Sequence, residues 1–102
     1  MTAVLDNVQR LKTYLEWRGG HADKVLDLTI NKVLQRERDQ MQEQLAKLEH
    51  QLAIFEQQYG WPTLVFYERF ERGELGDDVD FFEWSATWEM AQQLRQGLAL
   101  LA

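Results

Sequence analysis

Apolar residues recur along this chain at helical spacing, in four blocks separated by glycine and proline. In residues 3–17, Val4, Val8, Leu11 and Leu15 are 4, 3 and 4 apart, which is one face of an amphipathic helix. Gly19-Gly20 supplies the left-handed residue that commonly ends one. Residues 22–59 hold no Gly or Pro and are rich in Gln, Glu, Leu, Lys and Arg, all strong helix formers. Within them, Met41, Leu45, Leu48, Leu52, Phe55 and Tyr59 step by 4, 3, 4, 3 and 4, a heptad seam. Leu26, Ile30 and Val33 form a second stripe in another phase, and the polar run "QRERDQ" lies between the two. The pattern predicts one helix, about 57 Å long at 1.5 Å per residue, whose apolar stripe rotates midway. Asp23 or His21 is expected to begin it. Gly60 ends it, and Pro62 cannot extend it.

Residues 63–72 read as a short helix with Thr63 as N-cap and Phe66, Tyr67 and Phe70 on one side. Residues 78–101 read as a last helix with two apolar stripes. One runs through Val79, Phe82, Ala86, Met90, Leu94, Leu98 and Leu101, the other through Phe81, Trp84, Trp88 and Ala91. A helix apolar on two sides is expected to be buried on both. No strand pattern competes. The expected fold is therefore all-α, a single domain over 1–102, with residues 1–60 a helical hairpin and coiled-coil part and 61–102 an acidic, aromatic helical part. A long helix cannot bury its stripe against itself. A homodimer with the long helices paired is the economical solution, and a monomeric hairpin is the alternative.

Charge sharpens this picture. The net charge is −6, but residues 1–60 contribute −1 and residues 61–102 contribute −5. Nucleic-acid binding needs a surplus of cations near phosphates. Arg36, Arg38 and the lysines of the long helix are cancelled by Glu37, Asp39 and Glu43, so a basic protein, not nucleic acid, is the expected partner. A dimeric regulator using Arg36 and Arg38 on nucleic acid is the alternative. There is no cysteine, which removes disulfides and thiolate chemistry and fits a cytoplasmic setting. The N-terminal "MTAVLDNVQRLKTYLEW" has no signal-peptide pattern, and no stretch has the apolar length of a membrane span.

Candidate chemistry concentrates in "GELGDDVDFFEWS", residues 73–85. Its carboxylates crowd too closely, with bulky rings between them, for a calcium loop. Asp77 or Asp78 as a helix cap, with Asp80 and Glu83 facing the helix dipole, is the simpler reading. His21 and His50 have no ligand companion at metal spacing, and both read as solvated. Ser85 is the sole serine and lies within a helix, with no nucleophile turn around it. Neither an enzyme nor a cofactor is expected. What remains is a protein-docking surface, in which rings hold a partner and acids steer it. The candidate residues are Glu68, Phe70, Glu71, Glu74, Asp77, Asp80, Phe81 and Trp84.

The segment "YGWPTLVFYERFERGELGDDVDFFEW", following a long Glu/Gln/Leu helix, resembles a group of small prokaryotic helical proteins. The resemblance covers roughly residues 22–95. Many members of that group look like the antitoxin of a two-gene toxin–antitoxin pair. It implies that the acidic helical part covers a basic toxin, with no catalytic residue to carry over. The usual basic DNA-binding domain of antitoxins has no counterpart in this sequence.

Overall fold

The structure, a computed structural model, describes residues 3–19 and 24–102. Four helices follow in order: α1 (Ala3–Trp17), α2 (Lys24–Tyr59), α3 (Thr63–Glu71) and α4 (Val79–Leu101). The described residues contain no strand. No helix among them is long and apolar enough to cross a membrane. The expected starts of the long helix, Asp23 and His21, lie outside the described residues.

Glycines stop three of the helices at the places the sequence punctuates. Gly19, Gly60 and Gly73 all have positive φ, near 85°, 73° and 72°. The end of α3 is a Schellman turn, in which Gly73 N–H donates to Phe70 O and Glu74 N–H donates to Arg69 O. Asp78 caps α4, its carboxylate accepting from Asp80 N–H at 2.9 Å. Thr63 does not cap α3. Pro62 holds the N-cap position and has no side-chain acceptor, so Glu56 from α2 supplies a carboxylate to Thr63 N–H at 2.7 Å. That frees the Thr63 hydroxyl to turn inward.

The chain divides into two compact units, Met1–Val33 and Leu34–Ala102. The division falls inside α2, where its apolar stripe changes phase. In the first unit, Leu11, Leu15 and Leu26 are half-buried, and no residue of α1 is fully buried.

The second unit carries the core. Here α4 runs antiparallel to α2: Tyr59 meets Asp80, Phe55 stacks near Trp84, Met41 lies beside Gly97 and Arg38 reaches Leu101. The heptad seam of α2 is thus covered from within the chain. It also begins earlier than its apolar residues suggest. Leu34 and Arg38 continue the spacing, and both are half-buried. Arg38 Nη1 donates to the carbonyl of Leu101 at 2.6 Å, satisfying an end of α4 that has no intrahelical partner.

Trp84 is the centre of this core, with no exposed surface. Its ring lies parallel to that of Phe66, centroids 3.9 Å apart, and near-parallel to Phe55 at 5.5 Å. Its Nε1–H donates to the freed Thr63 hydroxyl at 3.0 Å. Tyr59, Trp61 and Phe81 close round the same point. We expect Trp84→Ala to lower unfolding free energy by about 3–5 kcal/mol, the usual range for removing a buried aromatic ring. Thr63→Ala should cost less, about 1–3 kcal/mol, because it strands only the indole donor. Urea denaturation of both variants measures the order.

Candidate functional site

The aromatic, acidic C-terminal segment resolves into an inner and an outer surface. The two stripes read along α4 lie on opposite sides of the helix. One side, through Phe81, Trp84, Trp88 and Ala91, faces the core. The other, through Val79, Phe82, Ala86 and Met90, is not covered within the chain: Val79 is 68% exposed, Phe82 56% and Met90 47%. Two-sided burial of α4 is therefore not what the chain achieves by itself.

The eight candidate residues separate accordingly. Trp84 is wholly enclosed and offers no ring surface to a partner. Phe81 is half-buried between Tyr59, Trp61 and Phe66. Phe70, also half-buried, stacks on Phe66 and meets Phe82 edge-on at 5.4 Å. Asp80 is engaged by α2, accepting from Tyr59 Oη at 2.5 Å and Gln58 Nε2 at 3.4 Å. Glu74 draws both nearby arginines, Arg69 at 3.7 Å and Arg72 at 3.6 Å. Glu68, Glu71 and Asp77 remain exposed, and no cation forms an ion pair with them among the described residues.

Two apolar residues that sequence reasoning left out of the candidate set, Val79 and Phe82, complete the outer surface. The signal was present in the first apolar stripe of α4. Which stripe would face inward depended on where α2 packs, and only three-dimensional pairing decides that. Asp78 and Glu83 extend the acidic rim, again without an ion pair among the described residues. The local arrangement is an exposed ring beside exposed carboxylates, with Arg69 and Arg72 already committed to Glu74. No group of carboxylates or histidines among the described residues is placed to hold a metal ion.

The tyrosines report how acidic this end is. Tyr59 has its pKa raised from 10.0 to about 12, first by its hydrogen bond to Asp80, then by desolvation and the charges of Asp80 and Asp78. Tyr67 Oη donates to Glu89 at 2.9 Å and is likewise raised to about 12, chiefly by that bond, with desolvation and the charges of Glu71 and Glu89 adding to it. In each case a neighbouring carboxylate opposes formation of a second negative charge.

No family model matches the chain, and no curated protein and no solved structure matches it.

A raised phenol pKa favours the protonated, folded form. Its contribution is complete below the unfolded value of 10.0 and is lost as pH rises through about 12. Alkaline titration followed by tyrosinate absorbance should show two late phenols. Tyr59→Phe and Tyr67→Phe should each remove one of them.

Proposed function

We propose that this chain is a protein-binding module that docks onto a basic protein through the outer surface of α4 and the adjoining acids, as the antitoxin of a toxin–antitoxin pair covers its toxin. The observation that carries the reading is the exposed Phe82 and Val79 set among Asp77, Asp78 and Glu83. An apolar anchor ringed by unpaired charge of one sign is the composition of a docking site for a partner of the opposite sign. The acids raise the rate of encounter, and burial of Phe82 and Val79 slows dissociation. The action is occlusion, with no bond made or broken.

Nothing in the geometry favours the nucleic-acid reading to the same degree. Arg38 is occupied with the end of α4 and with Gln35, and Arg36 lies 4.0 Å from Glu37.

The test pairs the chain with the product of an adjoining reading frame that encodes a basic protein. Asp77→Lys with Glu83→Lys should weaken the complex by at least about tenfold, equivalent to about 1.4 kcal/mol. Added salt should slow association of the wild type. Phe82→Ser should weaken the complex through faster dissociation. The charge reversal uses Glu83 in place of Asp80 because Asp80 holds α4 to α2. Unchanged affinity in both variants, with the denaturation profile intact, would remove this surface from the interface.

A further inference from the structure

The N-terminal unit has an apolar face that the docking surface on α4 does not use. In α1, Val8, Leu11 and Leu15 of the apolar stripe turn toward α2, where Ile30 meets them. Together they line an apolar groove of about 280 Å³, walled by the stems of Lys12 and Glu16. Only one side of this pairing is closed. Leu11 and Leu15 are half-buried, yet Val8 stays 56% exposed and Ile30 39%, and no described residue of the unit is fully buried. Two short helices that enclose nothing do not offset the entropy of ordering their chain.

We propose that a second copy of the chain covers this face, so that two N-terminal hairpins close into a four-helix bundle. Three features single out that occupant. The first is composition. Val4, Val8, Ile30 and Val33, the exposed members of the two stripes, are all aliphatic, the kind of side chain that closes the core of a helical bundle against a like face. The second is charge. Residues 1–33 hold five basic and four acidic side chains, a net of +1, whereas residues 34–102 hold six against thirteen, a net of −7. Two copies can therefore approach through the near-neutral unit with little repulsion, while their acidic units repel. The third is self-complementarity. A two-helix face with both signs of charge at its edges fits its own two-fold copy, the commonest way in which identical chains pair. An anionic membrane surface would need a cationic helix, and α1 carries Arg10 and Lys12 balanced by Asp6 and Glu16.

The test is the mass of the full chain in solution, by sedimentation equilibrium, with helicity followed by circular dichroism. The wild type should be a dimer whose helical signal falls on dilution. Val8→Glu with Ile30→Glu places four charges in the bundle core and should weaken self-association at least about a hundredfold. The unfolding transition of the Trp84 core reports that the second unit of this variant is still folded. Phe82→Glu, on the outer face of α4, should leave the dimer intact and impair only the capture of a basic partner. A wild type that is monomeric at every concentration overturns the proposal. So does a Val8→Glu, Ile30→Glu variant that remains dimeric, a Phe82→Glu variant that dissociates, or wild type that stays monomeric but sediments with anionic vesicles.

Discussion

One buried indole organises the C-terminal unit. Trp84 takes a ring from α2 on one count, Phe55, and a ring from α3 on another, Phe66, while its single polar atom is met by Thr63. Thr63 is available for this only because Glu56 has taken over the start of α3. Thr63 thus links three helices: its backbone N–H donates to a carboxylate of α2, and its hydroxyl accepts from the indole of α4. No buried side-chain polar atom among the described residues lacks a partner. The orientation of all three helices is set at this point, and with it the side of α4 that faces outward.

Seen from there, the acidic segment has two tasks carried by different residues. Asp78 caps α4, Asp80 fastens it to Tyr59, and Glu74 gathers Arg69 and Arg72. These acids hold the local structure together. Glu68, Asp77 and Glu83 form no ion pair among the described residues and are exposed, while Glu71, also exposed, acts on the Tyr67 phenol. The proposed docking surface depends on this division. Acids that fix the scaffold keep Phe82 in place, and acids that do not are free to attract a partner.

Much of the architecture was legible in the residues. Four helices, their glycine stops and a cap at Asp77 or Asp78 follow from spacing and turn chemistry, because those signals are local; the structure selects Asp78. The heptad from Met41 to Tyr59 correctly marks the inward face of α2. Its extension to Leu34 was hidden because Arg38 occupies an apolar register position, and its partner, the Leu101 carbonyl, is 63 residues away. Thr63 was misread for a similar reason. Thr before a helical run is an ordinary cap, and nothing nearby in sequence announces that Trp84 needs its hydroxyl. The assignment of Trp84 to a docking surface failed on the same ground: composition marks a ring as useful for contact but does not say whether the contact is inside the chain.

The antiparallel pairing of α2 and α4 is uneven along its length. At one end the rings of Phe55, Tyr59, Phe66, Phe81 and Trp84 interlock; at the other, half-buried aliphatic side chains and one guanidinium clasp do the holding. Local opening therefore has a direction. Amide hydrogens near Leu98 and Leu101 should exchange through small, frequent unzipping events, while those around Trp84 should wait for the whole unit to open. The helix is thus loosest at the end remote from the exposed acids and stiffest beneath them.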